Sequence, residues 1–154
     1  MDFQLNLSTE TVAETHPGKP LSVSPQTSVG EVFELLKEQR TGSVLVCREG
    51  VLVGIFTERD ALKLMAGDCD FQAPIATVMT PRPVTVHVRE TVSSAINRMA
   101  SGGYRRLPMV GDTGKPIGIV KVSGILRYLV EHFPRAIYTL PPEPKRGLSE
   151  RDGA

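Results

Sequence analysis

The sequence contains no tryptophan, and aromatic residues make up 5% of its 154 positions. It therefore carries no stacking platform for single-stranded nucleic acid. Charge of one sign is equally scarce. Eighteen Lys and Arg stand against seventeen Asp and Glu, a net charge of +1 at pH 7, so no bulk field recruits DNA or an anionic membrane. Cysteine occurs twice, at Cys47 and Cys69. Cys47 sits in an apolar run and reads as a buried free thiol. No apolar run approaches the roughly 20 residues of a spanning helix, and Met1–Glu10 has no basic segment leading into an apolar stretch. The expectation is a cytoplasmic protein with neither a membrane nor a nucleic acid as partner. His16, His87 and His132 are far apart and lack metal-ligand spacing. No nucleophile elbow, phosphate loop or paired acid/base spacing is present, so no enzyme is expected. The balance, 40% apolar and 23% charged, suits one ordinary globular domain or two small ones sharing a core.

What the chain does have is a repeat. Val23, Val29, Val44 and Val46 return at an offset of 63 as Val86, Val92, Leu107 and Met109, and Gly54 returns at an offset of 64 as Gly118. The frame Gly50-Val51-Leu52-Val53-Gly54-Ile55-Phe56-Thr57-Glu58-Arg59-Asp60 recurs as Gly114-Lys115-Pro116-Ile117-Gly118-Ile119-Val120-Lys121-Val122-Ser123-Gly124. The glycines and the apolar run survive. Thr57 becomes Lys121 and Asp60 becomes Gly124.

Each copy reads in one order. In the first, Leu21–Ser24 is extended and Ser28 with Glu31 forms a capping box. Val29, Val32, Phe33 and Leu36 give a helix its apolar face, and Gly42 ends it. Ser43–Cys47 and Val51–Phe56 form a hairpin over a tight turn. Thr57 caps a second helix with Glu58 and Asp60 in its first turn. In the second copy, Val84–Val88 is extended and Thr91 caps a helix carrying Val92, Ile96 and Met99. Gly102-Gly103 breaks that helix, and Arg106–Val110 pairs with Ile117–Val120. Ser123 opens a final helix carrying Ile125, Leu126, Leu129 and Val130, ending near Phe133-Pro134. The joint Ile75–Pro83 holds two prolines and is expected to be stiff and extended. The predicted organisation is an extension over 1–11, repeats over 12–73 and 74–134, and a disordered Pro-rich tail over 135–154. A unit of about 60 residues is marginal alone, so the two are expected to pack sheet to sheet around a pseudo-twofold axis and to bury one shared core.

These residues together resemble a tandem pair of CBS domains (cystathionine-β-synthase-type domains, a Bateman module). The resemblance rests on the repeat order, the Val78-Met79-Thr80-Pro81 joint, the Arg106-Leu107-Pro108-Met109-Val110 strand and the Gly54-Ile55-Phe56-Thr57-Glu58-Arg59-Asp60 signature, and it covers about residues 12–134. It implies an α+β fold of two pseudo-twofold-related β-α-β-β-α repeats. It also implies a regulatory or sensing module, commonly a flat homodimer, that binds an adenosine derivative and biases an unidentified regulated protein.

Thr57 and Asp60, three residues apart at a helix mouth, can serve two ends. They can cap the helix and compensate its dipole. Alternatively, the carboxylate can accept from the adjacent hydroxyls of a ribose, at about 1.5–3 kcal/mol for each charge-assisted hydrogen bond where water is excluded. The resemblance favours the ribose. It further implies that adenine packs against Ile55 of one repeat and against Pro83 and Val84 entering the other. The basic pair Arg105-Arg106 then faces the phosphates, with Lys121 as a possible added charge. Strand alternation lets only one of the two arginines point inward, and Arg106 is the expected one. Arginine near the phosphate favours AMP, ADP or ATP over S-adenosylmethionine, and no other cofactor is implied. A mirror site at Leu21, Gly42-Ser43, Ile119, Lys121 and Gly124 lacks the acid and is expected to be degenerate. The alternative is a dimerisation or interaction module with no nucleotide.

Overall fold

The computed structural model describes residues 7–132. The Pro-rich tail and the expected end of the last helix at Phe133-Pro134 lie outside them. Within them the two copies form two sheets. The first runs β1 (Ser22–Val23), β2 (Ser43–Arg48), β3 (Val51–Thr57), β4 (Thr80–Pro81), and the second β5 (Val86–His87), β6 (Arg106–Val110), β7 (Pro116–Lys121). In both, a two-residue lead strand pairs parallel with the hairpin's first strand, and the hairpin is antiparallel. The helices α1 (Val29–Glu38), α2 (Glu58–Met65), α3 (Val92–Gly102) and α4 (Val122–His132) accompany them, and residues 7–9 are helical as well.

The local signals act largely as the residues dictate. The Ser28 hydroxyl accepts from Glu31 N–H at 3.2 Å, and the Thr91 hydroxyl accepts from Ser94 N–H at 3.1 Å. Each satisfies one orphan donor of a first turn. Glu49 and Gly50 both carry positive φ, at 52° and 80°, the geometry of a two-residue hairpin whose twist matches its strands. Gly103, at φ 70°, closes α3.

One stop is displaced. α1 ends at Glu38, not at Gly42, because Arg40 takes the left-handed conformation (φ 48°). Arg40 N–H then donates to Lys37 O and Thr41 N–H to Leu36 O, the paired bonds of a Schellman close. Gly42 is left buried at the threshold of β2. The face of α4 also differs from expectation. Ile125 and Tyr128 are buried, whereas Leu126 and Val130 are exposed. The joint, expected to be extended throughout, begins with a 3-10 turn at Ile75–Thr77 before β4.

The single shared core gives way to two. Val29, Val32, Val44, Val46, Phe56, Ala61 and Ile75 form one cluster. Leu7, Val12, Val86, Val92, Ala95, Met99, Leu107, Met109, Val120 and Ile125 form the other. What joins the repeats is an exchange of lead segments. Ile75 N–H donates to Thr27 O, and Val29 N–H to Ala73 O. In the same pattern, Val12 N–H donates to Glu90 O, and Val92 N–H to Glu10 O. Each of these segments is thus fastened to the helix entrance of one repeat and leads into the strands of the other.

Candidate functional site

The Thr57–Asp60 corner forms because β3 runs straight into α2. Thr57 is the extended N-cap residue (φ −119°, ψ 170°), and its N–H would be orphaned without a partner. Asp60 Oδ2 accepts that N–H at 2.9 Å and the Thr57 hydroxyl at 3.2 Å, closing a capping box. Asp60 Oδ1 takes a longer contact, 3.4 Å, from the hydroxyl of Thr80. Asp60 is half-buried, and its carboxylate ties the helix start to the linker strand that leaves for the second repeat.

Ile55 stands opposite Thr80 in the β3–β4 register, and Arg82 N–H reaches Val53 O at 3.1 Å. The antiparallel register therefore carries the linker away from Asp60 beyond Thr80. Pro83, half-buried, and Val84, 38% exposed, lie further along it. The linker residue brought to the carboxylate is Thr80, which sequence reasoning passed over. The available signal is the Thr80-Pro81 of the joint, a motif of the resemblance to which no site role attaches in sequence.

From the other repeat comes Arg106. Its guanidinium lies over the α-carbon of Gly42, and a β-carbon built on that glycine would stand 2.8 Å from Arg106 Cζ. Gly42 O in turn accepts Glu58 N–H at 3.1 Å, while Ser43 pairs with Thr57 across the hairpin. The guanidinium therefore stands one residue from the mouth of α2. It makes no ion pair among the described residues. Its antiparallel neighbour is Lys121, a like charge that opposes it. Arg105 is exposed, its carbonyl accepting Val122 N–H at 3.1 Å. Of the arginine pair, Arg106 points inward.

Lys121 is exposed and runs along Gly18, whose built β-carbon would lie 3.8 Å from Lys121 Nζ. At the mirror corner a β-carbon on Gly124 would meet Thr15 O at 3.2 Å. The backbone of Thr15–His16 lies against the place where Asp60's counterpart would start. Leu21 is half-buried, and Ser43 and Ile119 are buried.

Gly54 and Gly118 admit the crossing segments. A β-carbon at Gly54 would collide with Met79, and one at Gly118 would stand 3.0 Å from Pro17 Cβ and 3.2 Å from Gly18 O. Among the described residues no group of three or more His, Cys, Asp or Glu could hold a metal, and no helix is long and apolar enough to cross a membrane. Burial pushes the Cys47 thiol above its ordinary range, against a smaller opposing effect of a hydrogen bond with Ser22. Two surface grooves, of about 550 and 380 Å³, flank α3 at Ser94, Asn97 and Arg98 and at Leu7, Ser93 and Ile96. Both are remote from Asp60 in the chain and share none of its corner.

Comparison with known proteins agrees with this architecture. A family model for the CBS domain matches residues 13–67 and again 75–131. The CBS domain-containing protein YhcV of Bacillus subtilis is 33% identical over 116 residues, covering 75% of this chain and 82% of that protein. An uncharacterised protein of Methanopyrus kandleri is 34% identical over 143 residues, covering 91% and 71%. CBSX2 of Arabidopsis thaliana, solved in complex with AMP, superposes with a TM-score of 0.69 at 27% identity, covering 79% of this chain and 97% of that one. The chain belongs to the CBS domain family and carries two CBS domains in tandem.

Proposed function

We propose that this chain is a regulatory module that binds one adenine nucleotide (AMP, ADP or ATP) in a cleft shared by its two repeats, without catalysis. The observation that carries the reading is the seating of Arg106 from the second repeat over Gly42 of the first, whose carbonyl accepts Glu58 N–H at the start of α2, next to the Ser43 that pairs with Thr57. A half-buried arginine with no ion pair among the described residues, paired across the hairpin with the like-charged Lys121, suits an anion. A helix mouth carrying a carboxylate and two hydroxyls suits a ribose. The AMP complex of CBSX2 supports the ligand class.

In this reading Asp60 accepts the ribose hydroxyls, and Thr57 and Thr80 flank it. Ile55 with Pro83 and Val84 forms the apolar wall for adenine, and Arg106 meets the phosphate with Arg105 and Lys121 adding charge at its rim. Bound ligand would bridge the repeats and stiffen their relative pose, which biases a regulated partner. S-adenosylmethionine, positively charged at that end, fits less well. Leu62 and Met65 on α2 and Leu126 and Val130 on α4 are exposed at 64%, 57%, 57% and 41%, and they support a homodimer.

A thermal-shift panel of AMP, ADP, ATP, S-adenosylmethionine and NADH tests the reading. A ligand at 100 times its Kd stabilises by about 2.7 kcal/mol. A second reading, an interaction module without nucleotide, is favoured by one observation: both oxygens of Asp60 already have protein partners. A flat panel would select it.

A further inference from the structure

Gly42 and Ser43 of the first repeat correspond to Arg105 and Arg106 of the second. The equivalence is structural as well as sequential, since Glu58 N–H donates to Gly42 O as Val122 N–H donates to Arg105 O, both at 3.1 Å. Where one copy has a glycine, the other has a long cation, and the site's asymmetry begins there. Arg106 crosses to the first repeat only because position 42 has no side chain. A β-carbon there would collide with Arg106 Nη1 and stand 2.5 Å from Nη2 and 2.8 Å from Cζ.

We infer that Gly42 is a positioning residue that determines selectivity for a phosphorylated ligand. Its bare α-carbon is the seat that holds the Arg106 guanidinium at the mouth of α2. The inference rests on the nucleotide reading above and deepens it. Gly42 has no positive φ, so alanine is allowed by the backbone. The atoms in its way belong to the far end of a flexible side chain, which can swing aside. Gly42→Ala therefore moves the guanidinium while leaving the fold in place. The mirror corner cannot build such a seat. Arg105 stands where the glycine would be, and Ser43, the counterpart of Arg106, is too short to cross.

The test is calorimetric titration of the full chain with AMP and with adenosine, for wild type, Gly42→Ala, Arg106→Ala and the double variant, with thermal midpoints as the folding control. The expected result is that wild type prefers AMP and that Gly42→Ala narrows the AMP-to-adenosine ratio about tenfold, the worth of a charge-assisted hydrogen bond. Adenosine affinity should stay near wild type, and Gly42→Ala should add nothing on the Arg106→Ala background. A general loss of packing would weaken both ligands alike. If Gly42→Ala binds AMP with an unchanged ratio, or lowers the ratio equally on the Arg106→Ala background, the seat is overturned while the nucleotide reading stands. If wild type takes up neither AMP nor adenosine, the nucleotide reading falls and the phosphate role with it.

Discussion

Val12 and Ile75, 63 residues apart, are both fully buried, and each fills the core cluster of the repeat whose helix entrance it is fastened to. Val12 packs with Val92 and Leu107 of the second repeat, and Ile75 packs with Val29 and Val44 of the first. The exchange addresses the weakness of small units, since a CBS repeat of this size is marginal alone. Ile75→Ala is expected to cost about 2–5 kcal/mol, with Val12→Ala toward the low end because it removes fewer atoms. Both should lower the midpoint of a single, cooperative urea transition. Two separate transitions in wild type would show that the exchanged segments do not couple the repeats.

The repeated glycines differ in what they protect. Gly118 faces Pro17 and the backbone of Gly18, whereas Gly54 faces the flexible side chain of Met79. Backbone and proline yield less readily than a thioether. Gly118→Ala should therefore cost about 1–3 kcal/mol and Gly54→Ala clearly less. Equal losses in chemical denaturation would refute the distinction.

In the second repeat, Arg98 grips Glu90 through two hydrogen bonds of 2.7 Å and reaches Thr85 O at 2.6 Å. Glu90 also accepts His87 N–H at 2.8 Å. The Arg98 bond above all, with smaller contributions from His87, holds the Glu90 carboxyl below its ordinary range against the opposing pull of burial. A depressed carboxyl contributes stability that is complete above its unfolded value, about 4.3. That stability is lost as pH falls through the folded value. A double-mutant cycle with Glu90→Gln and Arg98→Ala should give a coupling of about 1 kcal/mol at neutral pH, modest because both side chains keep some exposure. The coupling should fade as pH falls below the ordinary carboxylate range and through the lowered folded value of Glu90. A coupling that persisted in acid would rule out the ion pair as its source.

Leu62 and Leu126 occupy equivalent places on α2 and α4 and are among the most exposed apolar side chains described. If they seat a second copy, wild type should sediment as a dimer, and Leu62→Lys with Leu126→Lys as a monomer of unchanged helix content. A monomeric wild type would show that these side chains seat no second copy.

Much of this was legible in the sequence because strands, caps and turns are local. Ser28, Thr57 and Thr91 announce their helices by residue type, and the Gly54/Gly118 frame locates both hairpins. The exchange of lead segments was not legible. Val12 and Ile75 look like ordinary apolar residues at the edge of a repeat, and only three-dimensional register shows whose core they enter. The same holds at the corner. Thr57 and Asp60 could be paired by spacing, but the contact of Thr80 with Asp60 depends on the β3–β4 register. The seat at Gly42 depends on an approach from 64 residues away. By residue type Gly42 is a helix stop, as glycine usually is, yet Arg40 takes that role instead.

In the nucleotide reading Asp60 is more than a cap. Calorimetric titration with AMP of wild type and Asp60→Asn separates the two roles, since asparagine keeps an oxygen to accept Thr57 N–H while losing the charge that a ribose would meet. The expected result is one AMP per chain for wild type, and a loss of about tenfold or more in Asp60→Asn with a thermal midpoint close to wild type. Equal AMP affinity in the two proteins would contradict it and leave Thr57 and Asp60 as a helix cap alone.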